Sequence, residues 1–164
     1  MSIKNEATRA MTLLNAAGID FEVHSYEPDL TAASRGLDAA QALGVEPATV
    51  FKTLVLSTGD RLVVAVIAAD RSLDLRALAS AVGAKRARLA ECDITERSTG
   101  YIVGGISPIG QRRTLATFVD LGAQEYEQIF VNGGRRGAMI KLSPTDLLAM
   151  TKGVYADLVR DDDG

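Results

Sequence analysis

Residues 50–68 read VFKTLVLSTGDRLVVAVIA, and this stretch decides the fold. Two runs rich in apolar and β-branched residues, 50–56 and 61–68, are separated by four turn-forming residues, STGD. This pattern is typical of two β-strands joined by a short turn, since β-branched side chains favour strands and glycine and aspartate favour turns. We therefore expect a β-hairpin in the middle of a sheet.

Helical and strand-like patterns alternate on both sides of this hairpin. Apolar residues at helical spacing, preceded by a capping residue such as Asp74 or ended by a glycine, indicate helices. The larger number of strands and the hairpins between them favour an α+β fold, with a mixed or antiparallel sheet and helices packed around it. The predicted helices span residues 5–17, 38–43, 75–82 and 144–150. The further predicted strands span residues 21–25, 115–121, 127–132 and 138–142.

The composition is that of a single globular domain. The chain has 164 residues, of which 47% are hydrophobic and 24% charged, close to the average for such domains. We expect one domain over residues 1–160 and a solvated acidic tail, DDDG, over residues 161–164. The chain has no run of about 18 apolar residues, and Lys4, Glu6 and Arg9 interrupt its N-terminal stretch. We therefore expect a cytoplasmic protein without membrane contact.

The chain has one cysteine and one histidine, and this limits the kinds of catalytic and metal sites that it can form. Cys92 alone cannot form an intramolecular disulfide or a cysteine metal cluster. His24 alone cannot supply a site that needs two histidines. No serine lies in the glycine-flanked turn of a hydrolase nucleophile, so no attacking group on the protein stands out. We expect neither a metal nor another cofactor.

The net charge of −3 conceals an uneven distribution of charge. Residues 84–141 hold nine Lys or Arg against six Asp or Glu, whereas the remainder of the chain holds nine against fifteen. A basic group is most often an exposed, solvated surface, and the alternative is contact with phosphates. The three basic groups of this region are Lys85, Arg86 and Arg88; Arg112 and Arg113; and Arg135 and Arg136.

Lys52 lies inside the apolar first strand of the hairpin. A buried, unpaired ammonium group is unfavourable, so this side chain must reach water, a carboxylate or a ligand. On an edge strand the lysine would simply extend its charged end to solvent. Strand alternation places Lys52 on the same face as Leu54 and Leu56, and these apolar neighbours favour a pocket.

Two glycine-rich segments are candidates for ligand contact. Residues 98–110, STGYIVGGISPIG, and residues 131–137, VNGGRRG, each contain a glycine pair. Glycine pairs let the backbone approach a ligand closely and aim N–H groups at an anion or oxyanion. They also occur in ordinary turns, and Asn-Gly and Gly-Gly are first of all hairpin turns. The arginines of the second segment suit phosphate oxygens, because a guanidinium offers a planar fork of donors.

These segments, in this order, resemble the YbaK/EbsC family of free-standing aminoacyl-tRNA deacylases, which is related to the editing domain inserted in bacterial prolyl-tRNA synthetases. The resemblance spans essentially the whole chain and is closest to the YbaK branch, which clears cysteine mischarged onto proline tRNA. It implies a curved mixed, largely antiparallel β-sheet that is barrel-like and surrounded by helices, with a pocket for the terminal adenosine and its aminoacyl ester. It rests on Tyr26, the VFKTL motif at 50–54, the LDL motif at 73–75, residues 98–110 and the GGRRG motif at 133–137.

The resemblance also leads to an expected mechanism. The Gly104 N–H, joined by that of Gly105, faces the ester carbonyl, and the Lys52 ammonium neutralises charge on this carbonyl or on the terminal phosphate. The resemblance implies that the thiol of a cysteinyl ester attacks its own carbonyl and leaves as a thiolactone. The residues expected to contact the substrate are Tyr26, Arg35, Thr53, Gly105, Ser107, Asn132 and Gly133. Those expected to hold tRNA phosphates are Lys85, Arg86, Arg112, Arg113, Arg135 and Arg136.

Two positions depart from the family pattern. Arg35 stands where the family has a pocket aromatic residue, and Asn132 stands where it has a serine. They motivate a first alternative, a deacylase for another amino acid such as alanine that uses water as the attacking group. A second alternative is a non-catalytic nucleotide-binding or synthetase-associated adaptor. The expected partners are aminoacyl-tRNA, with tRNA(Pro) first, and prolyl-tRNA synthetase as a candidate protein partner; DNA is not expected.

Overall fold

A computed structural model describes residues 7–160. The predicted acidic tail and the first residues of the first predicted helix lie outside this range. The helices are α1 (Arg9–Ala16), α2 (Arg35–Leu43), α3 (Leu75–Val82), α4 (Cys92–Thr99) and α5 (Pro144–Thr151). The strands are β1 (Glu22–Ser25), β2 (Phe51–Ser57), β3 (Leu62–Ala68), β4 (Arg88–Leu89), β5 (Ala116–Asp120), β6 (Ile129–Asn132), β7 (Ala138–Leu142) and β8 (Val154–Ala156).

The predicted hairpin forms the centre of a five-stranded sheet with the order β4-β2-β3-β5-β8. Strands β2 and β3 pair antiparallel from Phe51 opposite Ala68 to Ser57 opposite Leu62. Strands β5 and β8 continue the sheet in parallel pairings. Residues 63–67 of β3 are fully buried, as expected for a strand that is covered on both faces. The sheet is therefore mixed, in agreement with the α+β prediction.

The remaining strands form a separate three-stranded antiparallel sheet with the order β1-β7-β6. A single parallel bridge between Val50 and Phe130 links it to β2. The predicted barrel-like closure is therefore wrong, because the strands of residues 7–160 form two open sheets. Residues Pro47–Thr49, just before Val50, form a 3-10 turn and not a strand.

The helix ends follow the capping residues of the sequence. In α3 the Asp74 carboxylate accepts hydrogen bonds from the N–H groups of Arg76 and Ala77, and the left-handed Gly83 ends the helix. In α5 the Ser143 hydroxyl accepts from Asp146 N–H, and Pro144 is the first helical residue. These contacts satisfy backbone groups that a helix end leaves open. The bounds predicted for these two helices are confirmed to within one residue.

Four elements differ from the sequence expectation. Helix α2 begins at Arg35, three residues before its predicted start, because the Ser34 hydroxyl caps it by accepting from Leu37 N–H. Helix α4 and the short strands β4 and β8 were not predicted.

Among residues 7–160, no helix is both long and apolar enough to cross a membrane.

Candidate active site

A cavity of about 470 Å³ lies along the free edge of β2. On the side away from β3, this strand is contacted at Val50 by Phe130 and at Val55, whose carbonyl accepts from Ala90 N–H. Between these two points no other strand of residues 7–160 pairs with β2 on this side. Residues 50–55 all line the cavity. The gap between the two sheets thus forms an open site.

Thr53 presents its main-chain N–H and C=O at this edge. In an antiparallel pair, the N–H and C=O of successive residues alternate between the partner and the opposite side. Because the Val50 carbonyl bonds to Ala69 N–H and the Val55 carbonyl to Ala90 N–H, the main-chain groups of Thr53 face away from β3. The Thr53 hydroxyl oxygen is buried and has no hydrogen-bond partner among residues 7–160. A ligand with both donors and acceptors could bind these groups.

Lys52 lines the same cavity and is half-buried. Its backbone is held opposite Ile67 of β3, so the strand ladder fixes where the side chain begins. The sequence prediction that Lys52 belongs to a pocket agrees with this position. An ammonium group in such a partly enclosed site acts on a nearby negative charge more strongly than it does in water.

The opposite side of the cavity is formed by a loop that contains Val103, Gly104 and Ile106. Gly104 has a φ of +95°, a conformation that favours glycine. A β-carbon at this position would lie 2.8 Å from Arg35 Nε and 3.0 Å from Arg136 Nε. The Gly104 N–H has no acceptor among residues 7–160. Lys52 and an available backbone donor therefore line one cavity, as the expected mechanism requires.

Three other predicted substrate residues lie outside the cavity lining. Gly105 is buried and donates its N–H to the Ile102 carbonyl at 2.7 Å, which closes the loop's turn. Ser107 is fully buried, and its hydroxyl accepts from Ile109 N–H. Gly133 donates to the Ala138 carbonyl, and its own carbonyl accepts from the Thr8 hydroxyl. In this structure all three support the loops behind the site.

Three further predicted residues do line the cavity, namely Tyr26, Arg35 and Asn132. Burial raises the pKa of the Tyr26 hydroxyl, and the negative charge of Asp38 adds to this effect while Arg35 opposes it. Tyr26 is therefore a neutral hydrogen-bond donor at physiological pH. Asn132 accepts from Gly134 N–H at 2.7 Å and donates to the Arg135 carbonyl at 3.2 Å. Its side chain thus spans the turn between β6 and β7.

The predicted tRNA-binding residues lie in three different places. Lys85 and Arg86 are exposed between α3 and β4. Arg112 and Arg113 are exposed, and their N–H groups donate to the Thr99 and Ser98 carbonyls at the end of α4. The pair nearest the cavity is that between β6 and β7, of which Arg135 is half-buried and Arg136 exposed.

The structure adds residues that the sequence analysis did not select. Glu96 of α4 accepts from Val103 N–H at 2.8 Å, and the exposed Cys92 lines the cavity. The i,i+4 pair Asp93 and Arg97, followed by Gly100, was a usable signal for this helix. Residues 7–160 contain no group of three or more His, Cys, Asp or Glu placed to hold a metal ion.

The fold and the site define a class of protein. It is a small α+β protein with an open cavity that is lined by both a lysine and a free backbone donor, an arrangement suited to a ligand that carries or develops negative charge.

Comparisons with known proteins agree with this class. The aminoacyl-tRNA editing domain family matches residues 32–150. A protein described as a candidate Cys-tRNA(Pro)/Cys-tRNA(Cys) deacylase, EbsC of Enterococcus faecalis, is 36% identical over 93% of both chains. The multifunctional Ser/Thr-tRNA deacylase ProXp-y of Escherichia coli K12 is 30% identical over 88% of this chain and 87% of its own.

The solved structures give the same result. A crystal structure described as that of a candidate trans-editing enzyme for prolyl tRNA synthetase has a TM-score of 0.84 and 27% identity, and the match covers 97% of this chain and 99% of the other. The chain belongs to the aminoacyl-tRNA editing domain family, which confirms the resemblance noted from the sequence.

Proposed function

We propose that this protein is a trans-editing aminoacyl-tRNA deacylase that removes mischarged cysteine from tRNA(Pro). The deacylase class follows from the family and its relatives. The observation that carries the proposal is the shared cavity of Lys52 and Gly104, whose N–H lacks an acceptor among residues 7–160. Within this proposal the substrate is the 3′-terminal aminoacyl ester and the protein acts in the cytoplasm.

The two groups act on the ester carbonyl in complementary ways. An aminoacyl ester is already activated, so the protein needs mainly to hold it and to stabilise the oxyanion that forms during attack. A backbone N–H aimed at this oxygen is a preorganised donor, and removal of one such donor typically lowers kcat by about 100- to 1000-fold. The Gly104 N–H is this donor, and the Lys52 ammonium balances the negative charge.

The attacking group is the thiol of the cysteinyl ester itself. Its sulfur forms a bond to the carbonyl carbon, the ester C–O bond breaks, and the thiol proton ends on the 3′-oxygen of the released tRNA. The product is a cyclic thiolactone. This route gains from proximity, because an intramolecular group in a favourable geometry is worth roughly 7 kcal/mol or more. It also needs no nucleophile from the protein.

The amino acid and the ribose contact the polar residues of the cavity. Tyr26 and Thr53 offer a neutral hydroxyl each, and Thr53 adds its unpaired main-chain groups. The tRNA phosphates are held by the three basic groups through contacts that depend on salt and not on sequence. Prolyl-tRNA synthetase is the protein partner we propose, since a small domain can gain tRNA selectivity from it.

A second candidate function is deacylation of another amino acid by water. Two observations favour it. Arg35 and Asn132 line the cavity and bring charge and hydrogen-bonding groups to the substrate, and the ProXp-y relative is described as a Ser/Thr-tRNA deacylase. A hydroxyl side chain or water would then replace the thiol.

The test is a panel of tRNAs charged with cysteine, alanine, serine and threonine, incubated with the wild-type protein and with Lys52→Ala. We expect fastest loss of cysteine from tRNA(Pro), with the thiolactone as the first product, and no turnover by Lys52→Ala. Free amino acid as the first product, or faster turnover of another ester, favours the second function. Binding of every charged tRNA without loss of any acyl group contradicts both.

A further inference from the structure

We propose that Arg136 is a positioning residue for the Gly104 N–H, and that this role, more than phosphate contact, explains its place beside the cavity. The inference rests on the proposed function and deepens it. Arg136 donates from both Nε and Nη2 to one acceptor, the Val103 carbonyl oxygen, at 3.1 and 2.9 Å. It does this across 33 residues of sequence.

The Val103 carbonyl and the Gly104 N–H are the two ends of one peptide group. Residues 7–160 contain no cis peptide bond, and in a trans peptide the C=O and N–H point in nearly opposite directions. A guanidinium that holds the carbonyl on one side therefore directs the N–H to the other. Val103 and Gly104 both line the cavity, whereas Arg136, which binds the Val103 carbonyl, does not belong to its lining. The carbonyl thus turns outward and the donor turns toward the site.

Other contacts hold the peptide groups on both sides. Glu96 accepts the Val103 N–H at 2.8 Å, and Asn132 Nδ2 lies 3.5 Å from the Gly104 carbonyl oxygen. The backbone of Arg136 also packs tightly here, since a β-carbon at Gly105 would lie 2.7 Å from its nitrogen. Between Glu96 and Asn132, the remaining freedom is rotation of the Val103–Gly104 peptide plane. Arg136 removes that freedom.

A glycine with positive φ makes such a hold necessary. Glycine populates more backbone conformations than other residues, so a donor carried by Gly104 needs support from elsewhere to keep a fixed direction. Geometry in a reactive site is demanding, and a misplacement of about 1 Å can lower the rate by about 100-fold. The double hydrogen bond from Arg136 supplies this support through a side chain that never touches the reacting atoms.

A phosphate-binding role makes a different prediction, and a phosphate-free substrate separates the two. We would compare wild type, Arg136→Ala and Arg136→Lys on charged tRNA and on a cysteinyl ester of adenosine, which carries no phosphate. Arg76→Ala, which removes an exposed arginine of α3, is the matched control. We expect kcat of Arg136→Ala to fall about 10- to 100-fold on both substrates, with KM changed by less than about threefold.

The lysine variant separates charge from geometry. Lysine keeps the positive charge but lacks the planar pair of donors, so we expect Arg136→Lys to retain tRNA affinity and its salt dependence while kcat stays low. A normal kcat for Arg136→Ala on the adenosine ester, with weaker tRNA binding and a flatter salt dependence, would overturn the inference in favour of phosphate contact.

A direct readout does not depend on turnover. In ¹⁵N NMR spectra we expect the Gly104 amide signal to shift or broaden in Arg136→Ala and to stay unchanged in Arg76→Ala. If the wild-type protein cleaves no ester, the proposed function fails, and the NMR result still decides whether Arg136 holds this peptide. An unchanged Gly104 signal in Arg136→Ala would overturn the inference even in an active enzyme.

Discussion

The two sides of the cavity are built in different ways. The strand wall, residues 50–55 at the edge of β2, is held by the backbone ladder to β3. The loop wall, formed by Val103, Gly104 and Ile106, belongs to no strand or helix and is held by side chains from elsewhere in the chain. The strand wall should therefore tolerate side-chain changes without moving, whereas the loop wall should lose geometry when a distant residue changes.

The largest expected effect comes from the strand wall, where removal of the Lys52 charge should change chemistry and leave the fold intact. We expect Lys52→Met, which keeps the apolar stem, to lower kcat/KM about 100- to 1000-fold. The measurement is turnover of charged tRNA together with the thermal unfolding midpoint. The ladder to β3 does not involve the side chain, so the midpoint should stay within a few degrees.

Lys141→Met is the matched control for this change. Lys141 is also a half-buried strand lysine, placed near the Phe130 ring and outside the cavity lining. We expect its variant to keep full activity. Equal losses of activity in both variants would mean that Lys52 acts through stability, and full activity of Lys52→Met would remove it from the mechanism.

The next effect concerns the loop wall, where Gly104→Ala should lose activity far beyond its loss of stability. A side chain at φ +95° is strained, at a cost of about 1 to 2 kcal/mol, and its β-carbon would displace the Arg35 and Arg136 side chains. We expect a loss of activity of at least about 10-fold. Steady-state kinetics measures the loss of activity, and urea unfolding measures the loss of stability.

Gly59→Ala isolates the backbone strain from the active-site effect. Gly59 has a similar φ of +101° and nothing within 4 Å of the added β-carbon. Gly59→Ala should lose only the stability that backbone strain costs and should keep its activity, whereas Gly104→Ala should lose more stability because it also displaces two arginines. If the two variants have the same activity, the Gly104 main chain has no special role.

A third effect concerns the support beneath the loop wall. Tyr101 is buried, and its hydroxyl donates to the Ile109 carbonyl at 2.6 Å. Burial raises the pKa of Tyr101 to about 12, so the folded state holds this proton more tightly than the unfolded chain does. Stability from Tyr101 should be constant below about pH 10 and should fall between about pH 10 and 12, by about 2 to 3 kcal/mol in total.

Tyr101→Phe checks this pH dependence. Without the hydroxyl the protein should be about 1 kcal/mol less stable at pH 8, and this difference should shrink and then reverse as the pH approaches 12. Urea unfolding of both proteins from pH 8 to 12 measures the difference directly. A difference that does not vary with pH would contradict a tightly held proton on Tyr101.

The contrast between the walls also explains what the sequence could predict. The β2–β3 hairpin, the caps of α3 and α5 and the place of Lys52 follow from local patterns, because strand alternation and capping act over a few residues. The α+β class is accordingly confirmed. The barrel-like closure, which the family resemblance implied, is wrong, because a single bridge between Val50 and Phe130 links the two sheets of residues 7–160. No local pattern in the sequence shows this arrangement.

The loop wall depends on contacts that no local pattern shows. The sequence marks Gly104 as a candidate donor, but its direction is set by Glu96 and Arg136, the latter 33 residues from Val103. From the sequence, Arg136 was predicted to bind phosphates, because a guanidinium offers donors that suit phosphate oxygens. In the structure the same donors bind the Val103 carbonyl. The family resemblance, and not a local pattern, placed Ser107 at the substrate, whereas tertiary packing buries that residue completely.

The smallest expected effect tests whether the strand wall is prepared for a ligand. The Thr53 hydroxyl is buried without a hydrogen-bond partner among residues 7–160, and such a group costs about 1 to 3 kcal/mol unless a partner satisfies it. Thr53→Val keeps the shape, so we expect stability to rise by up to about 1 kcal/mol and kcat/KM to fall by a few-fold. Thr99→Val is the control, since the Thr99 hydroxyl donates to the Thr95 carbonyl at 2.8 Å, and its loss should lower stability. A Thr53 variant that loses stability as well would mean that the hydroxyl serves the fold and not the substrate.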